Sequence, residues 1–323
     1  MNKLFALSIA GLMLVSACKK DEETKTNDTT PNPIEGLVVL ERTNVLVVEN
    51  TGAWCQYCPN GAEMMIQMHK AYDYVVPVAV HNADPLTTPT ASAWEAAFPA
   101  PGYPSIHVNG KLVESLSISS LESEVLSASA TLPTMGVAHK TTKNDTAILV
   151  DVKVEVFEDM SNRNFVIQSY LLLDGVLAKD YGTFDLRQTS SLPFVDKGPS
   201  GGFSRWTQDR ALVNNEPQVK ANDPYLHYDN VWSTAMGDTL HSVAGTNLGL
   251  VNPFGVDYVR GDVFGTRYTP LHFWFELPTL NDPVAQALDF TGYKVLTVIT
   301  ELVEDGGAIK ALYVNSYMSE VAK

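Results

Sequence analysis

Cysteine is scarce in this chain: 323 residues hold three. So few thiols cannot staple a fold of this length, so its stability has to come from a packed core. Positive charge is also short. There are 22 Lys and Arg against 37 Asp and Glu, for a formal net charge of −15. That balance argues against nucleic acid and against an anionic surface as partners. Long apolar runs are missing beyond the first residues, so no later segment reads as a membrane-spanning helix. Metal-ligand spacing is missing too. A structural zinc site needs four ligands, and Cys55-Gln56-Tyr57-Cys58 has no second Cys-x-x-Cys and no paired histidines to complete it. Neither a metal nor a cofactor is expected.

What the chain does have is that one dithiol, in a telling place. Val45-Leu46-Val47-Val48 reads as a strand leading into it, and Asn60 to Tyr72 reads as a helix leading out. Two cysteines at a strand-to-helix junction sit where the helix dipole and free N–H groups favour a thiolate. The competing reading is an inert structural bridge. A bridge spanning two residues is a poor staple, because cross-links stabilise more when they close long loops. Redox chemistry is therefore favoured, with Cys55 as the attacking thiol at an exposed mouth and Cys58 as the resolving thiol.

The first residues read as an export signal. Met1-Asn2-Lys3 is a short basic region and Leu4 to Val15 an apolar stretch too short to span a bilayer. Leu14-Val15-Ser16-Ala17-Cys18 resembles a bacterial lipobox, which implies a signal peptide over 1–18 and lipid attachment at Cys18. Residues 19–35 are polar, without an apolar period, and read as a flexible tether. The expected location is the outer membrane, lipid-anchored, facing the periplasm or the cell surface.

The remaining length suits two domains. Over 36–130, Leu37–Leu40, Val45–Val48 and Val75–Val80 read as strands. Thr90–Phe98 reads as a helix with Ser92 and Glu95 as a capping box, and Ser119 with Glu122 opens a last helix. Asn109-Gly110 marks a hairpin. Met65, Met68 and Tyr72 share a helical face and read as core, with a methionine-lined substrate surface as the alternative. His81 either approaches the dithiol or is a satisfied turn histidine. Over 131–323 the pattern changes to strands. Ile148, Val150, Val152, Val154 and Val156 alternate with Asp151, Lys153 and Glu155, and Asp305-Gly306-Gly307 joins two further strands. This region is expected to be an all-β antiparallel sandwich, immunoglobulin-like in shape. Tyr225–Asn230 and His272-Phe273-Trp274 read as packed sandwich aromatics, with a binding surface as the alternative.

Trp54 before the first cysteine, Pro59 after the second, Glu49 six positions upstream and the Gly102–Lys111 segment together resemble the thioredoxin fold. The resemblance implies an α/β thioredoxin-like domain with Glu49 as a buried proton relay. It also implies a cis bond before Pro104, with the Tyr103 backbone receiving an extended substrate. With the lipobox, His81 and the β-rich second half, the whole chain resembles the outer-membrane-protein-twenty-eight family of Bacteroidota lipoproteins. The implied activity is thiol–disulfide exchange with protein or peptide thiols and disulfides of the envelope. The other reading is a surface binding or adhesion lipoprotein whose thioredoxin-like domain is a non-catalytic scaffold.

Overall fold

A computed structural model describes residues 31–84, 86–174, 177–178, 212–213, 216–217, 230–234, 236–237, 256–277, 288–289 and 292–322. Cys18, the signal segment and Tyr225 to Asp229 lie outside the described residues. Within them the chain is mostly β, with three helices and several sheets.

The order begins β1 (Val45–Thr51), α1 (Cys58–Ala71), β2 (Val75–His81), α2 (Pro89–Ala97), β3 (Ser105–Val108), β4 (Lys111–Leu112) and α3 (Ile118–Ser129). β1 pairs parallel with β2 on one side and antiparallel with β3 on the other. It is therefore a central strand, and all seven of its residues are buried. Successive side chains of a strand point to opposite faces. Val45 and Val47 pack with Met64, Met65 and Met68 of α1 and with Leu121 and Val125 of α3. Leu46 and Val48 face the other way, onto Ala91 and Trp94 of α2. The methionines are thus core. By the same alternation Glu49 falls on the α1 side.

The rest is strand. β5 (Met135–Lys143), β6 (Ala147–Val156) and β7 (Phe165–Asp174) are followed by Asn230–Thr234, Val263–Phe264, His272–Glu276, Gly292–Asp305 and Ala308–Glu320, besides several two-residue strands. β6 pairs antiparallel with β5, His272–Glu276 and Val263–Phe264 in one sheet. The five alternating residues of β6 from Ile148 to Val156 are all buried, against Phe165, Ile167, Phe273, Phe275, Val295 and Ile299 among others. A second sheet of eight strands runs from Ala308–Glu320 through Gly292–Asp305, β7 and Asn230–Thr234 to β2, β1, β3 and β4. One sheet thus crosses both of the regions read from the sequence.

Asn315 fastens these parts together. Its Oδ1 accepts from Asn44 N at 3.0 Å, and its Nδ2 donates to Arg42 O at 3.0 Å and Met135 O at 3.1 Å. Asn44 Nδ2 donates to Ser316 O at 2.6 Å. The residue that enters β1 is therefore held by the last long hairpin.

Three local expectations are corrected. Leu37–Leu40 forms no strand, and Val38 and Leu40 are exposed. α2 is capped by Thr88, whose Oγ1 accepts from Ala91 N at 3.0 Å, and not by a Ser92–Glu95 box. α3 is capped by Ser117, whose Oγ accepts from Ser120 N at 3.1 Å. Glu122 instead accepts from the Tyr72 hydroxyl at 2.6 Å.

Candidate functional site

The buried end of β1 delivers the chain directly to the dithiol. Cys55 N donates to Gly52 O at 2.9 Å and Cys58 N to Cys55 O at 3.3 Å, a tight turn that opens α1. Cys55 and Cys58 are joined as a disulfide, with their Cα atoms 5.5 Å apart. Pro59 lies in the first turn of α1, and no side chain caps that turn. The positive end of the helix dipole thus lies beside the disulfide. One expectation changes here. Cys55 is only 4% exposed, against 1% for Cys58, so its sulfur is recessed and does not stand at an exposed mouth. Trp54 is 48% exposed and Tyr57 58%.

Glu49 lies on the α1 side of the sheet and is 1% exposed, so it does not face solvent. A Cβ built on Gly61 would fall 2.3 Å from Glu49 Oε1 and 3.0 Å from Pro104 Cβ. The missing side chain of Gly61 is therefore the space in which the carboxyl and Pro104 meet the helix. Gly61 follows Cys58 by three residues, so both lie on one helix face. The carboxyl consequently sits one turn in from the disulfide. Its Oε1 has no hydrogen-bond partner among the described residues. Burial pushes this carboxyl well above the usual carboxylate range. Burial thus favours the protonated form of this acid.

The Tyr103–Pro104 bond is cis. The Tyr103 ring stands edge-on to Trp54, with centroids 5.2 Å apart and planes at 65°. Trp54 Nε1 donates to Asn82 O at 2.8 Å. The Asn82 side chain donates to Glu95 Oε2, and the Tyr103 hydroxyl donates to Glu95 Oε1. Sequence reading placed Glu95 in a helix cap and gave it no part in the site. Its position on α2 carries no local signal, because its partners Asn82 and Tyr103 come from two other segments.

His81 does approach the dithiol loop. Its Nδ1 lies 2.6 Å from Asp84 Oδ2, which also accepts from Ala53 N at 2.8 Å. Leu86 N donates to Asp84 Oδ1 at 2.9 Å. Burial alone pushes Asp84 upward. The charge and hydrogen bond of His81 and the two backbone donors outweigh it and hold the carboxyl below its usual range. Asp84 thereby pins the residue two positions before Cys55 to the end of β2. No group of His, Cys, Asp and Glu able to hold a metal is found among the described residues.

Wider comparison places this arrangement. The fold is shared with HBP35 of Porphyromonas gingivalis. The match has a TM-score of 0.51 at 16% identity and covers 87% of this chain and 76% of that one. A protein of Agrobacterium tumefaciens aligns over 86% of this chain and 95% of its own, at 11% identity and a TM-score of 0.39, too low to bear on the argument. No protein-family model matches the chain, and no curated protein matches it.

Proposed function

We propose that this chain exchanges thiols and disulfides through Cys55 and Cys58. The observation that carries the reading is the disulfide at the N-terminus of α1 with the buried Glu49 carboxyl one turn behind it. In this reading residues 36–130 are a thioredoxin-like domain and 131–323 a sandwich-like partner. The βαβ order, the second helix, the short hairpin and the last helix support that description. Membership of the outer-membrane-protein-twenty-eight family is part of the same proposal, as are a signal peptide over 1–18, a tether over 19–35 and an outer-membrane anchor at Cys18.

The chemistry starts from the oxidised pair. A substrate thiolate attacks Cys55 Sγ and forms a mixed disulfide. Cys58 Sγ leaves as a thiolate and takes the proton that Glu49 holds. The second substrate thiolate then attacks the substrate sulfur of the mixed disulfide and expels Cys55 as a thiolate. Two electrons have passed from a substrate dithiol, which becomes a disulfide, to the protein. In reverse, Cys55 thiolate attacks a substrate disulfide, and Cys58 resolves the intermediate after returning its proton to Glu49. Tyr103, next to Pro104, offers backbone to an extended substrate as an added strand.

The test is thiol trapping with mass spectrometry on the full chain. Cys58→Ser accumulates mixed disulfides, because the resolving step is lost, and Cys55→Ser does not. Glu49→Gln slows resolution and leaves the first attack nearly unchanged. The burial of both sulfurs favours one other reading, a scaffold with a permanently closed bridge. A reduction potential below about −300 mV, together with no trapping by Cys58→Ser, would establish that reading instead.

A further inference from the structure

We propose that Glu95 is a positioning residue that fixes Trp54 and Tyr103 as one rigid aromatic wall beside the disulfide, and that this wall selects polypeptides carrying an aromatic or large apolar side chain next to the reacting cysteine. The inference rests on the exchange reading given above and adds a substrate class to it.

Both rings commit their polar atoms to the protein. An exposed tryptophan or tyrosine ordinarily turns its N–H or O–H to water and keeps several orientations open. Here both polar atoms are turned inward. Trp54 Nε1 donates to the Asn82 carbonyl at 2.8 Å, and the Tyr103 hydroxyl donates to Glu95 Oε1. Asn82 is itself held by Glu95 Oε2 through its side-chain amide. One carboxyl on α2 therefore grips both rings, one directly and one through the residue after β2. The rings then meet edge-on at 5.2 Å. A Cβ at Gly52 would fall 2.6 Å from Trp54 Nε1, so the turn leaves the indole little other room.

With its polar edge used inside, Trp54 presents apolar surface outward, and it stands immediately before Cys55. Tyr57, between the two cysteines, adds a second exposed ring. None of Trp54, Gln56, Tyr57 and Tyr103 is charged, on a chain of net charge −15. The acids close behind the mouth are occupied or enclosed: Glu49 is buried, Asp84 is tied to His81 and Ala53, and Glu95 is tied to Tyr103 and Asn82. Fixed aromatic surface of this kind binds apolar groups at low cost in conformational entropy, because the rings are ordered before the partner arrives. A thiol too small to reach the wall gains nothing from it.

The experiment compares two peptide disulfides, one with Phe and one with Gly beside the cysteine, and dithiothreitol as a thiol without side chains. Single-turnover exchange is followed for the full chain and its variants, reduced for the two peptide disulfides and oxidised for dithiothreitol. Wild type is expected to take the Phe peptide at least about tenfold faster than the Gly peptide, the scale of one well-made apolar contact. Glu95→Ala brings that ratio to within about twofold while the rate with dithiothreitol stays unchanged, since only the selecting contact is lost. Glu95→Gln restores most of the preference, because an amide can accept from Asn82 and donate to the tyrosine oxygen. Tyr103→Phe removes one bond with the ring retained and gives an intermediate ratio. It also keeps the test decisive if Glu95→Ala fails to fold. A preference that survives in both Glu95→Ala and Tyr103→Phe overturns the proposal with exchange intact, as does a wild type indifferent to the neighbouring side chain. If wild type exchanges no faster than a free thiol with any of the three, the exchange reading itself falls and this inference falls with it.

Discussion

Glu49 Oε1 occupies the place that a side chain on Gly61 would need: the two positions are 2.3 Å apart. A strand acid and a helix glycine therefore form one unit, and neither choice makes sense without the other. Glycine in a helix interior costs about 1 kcal/mol relative to alanine. Here that cost leaves room for a carboxyl.

A double-mutant cycle tests the pairing. Gly61→Ala should destabilise the oxidised protein by about 1–3 kcal/mol, the usual range for overpacking. In a Glu49→Ala background the same substitution should cost less, because the carboxyl is gone and only Pro104 Cβ at 3.0 Å still opposes the helix gain. Urea unfolding of the four proteins reads the coupling. Additive effects would mean that the two residues do not share the space.

His139 gives a prediction on pH. It is fully buried on β5, with Nδ1 2.9 Å from Thr297 Oγ1 and Nε2 2.8 Å from Ser319 Oγ. Burial pushes its pKa down from 6.5 to about 3. The unfolded chain thus binds a proton below pH 6.5 that the folded chain refuses until about pH 3. Its contribution to stability is complete above the unfolded value and is lost as pH falls through that window, by at most about 1.4 kcal/mol per pH unit. His139→Gln should flatten the slope of stability against pH between those values. An unchanged slope, measured by denaturant titration at several pH values, would count against a buried neutral imidazole.

Glu49 acts in the opposite sense over a different range. Its folded pKa is raised above the ordinary 4.5, so the folded chain keeps a proton that the unfolded chain gives up. The stabilising balance is full below 4.5 and declines as pH rises toward the folded value. Glu49→Gln should therefore gain stability relative to wild type as pH is raised above 5 or so, a range in which the native acid is increasingly penalised for staying protonated. Comparing the two unfolding midpoints from pH 4 to about pH 8 checks the sign.

Asp84 should behave as a tie, not as ornament. Asp84→Ala removes the acceptor used by Ala53 N, Leu86 N and His81 at once. The expected cost is at least about 2 kcal/mol, since lost partners in a buried site carry their desolvation with them. Asp84→Asn, which keeps an oxygen toward these donors, should cost less. Thermal unfolding with the disulfide intact ranks the three proteins.

The anchor is checked by mass. If Cys18 is the lipidated residue, the intact mass of the membrane fraction carries a diacylglyceryl group on a chain that begins there. Cys18→Ser should release the protein from the membrane. A soluble product with an unmodified Cys18 would refute the lipobox reading.

Much of this was legible from local pattern. The alternation from Ile148 to Val156 reports a strand with one dry face, and Ile148, Val150, Val152, Val154 and Val156 are all buried. Asn109 and Gly110, with φ of 48° and 84°, adopt the left-handed turn their types favour. The dithiol was visible because strand, turn and helix follow one another in sequence. What escaped depends on partners far along the chain. Leu37–Leu40 has strand composition but joins no sheet among the described residues. Ser92 and Glu95 have the spacing of a cap, yet Thr88 reaches Ala91 N first and leaves Glu95 for Tyr103 and Asn82. The recession of Cys55 was equally out of reach, because its neighbours, not its own helix position, cover it.

The clasp between Asn44 and Asn315 sets an order of events during synthesis. The two residues are 271 positions apart. At about 5–20 residues per second, β1 and the dithiol leave the ribosome roughly 15–50 s before Asn315 exists to hold them. The cysteines therefore meet their surroundings while the strand that feeds them is still fastened at one end only. The pair is thus displayed by the nascent chain well before the entry to β1 is secured at Asn44.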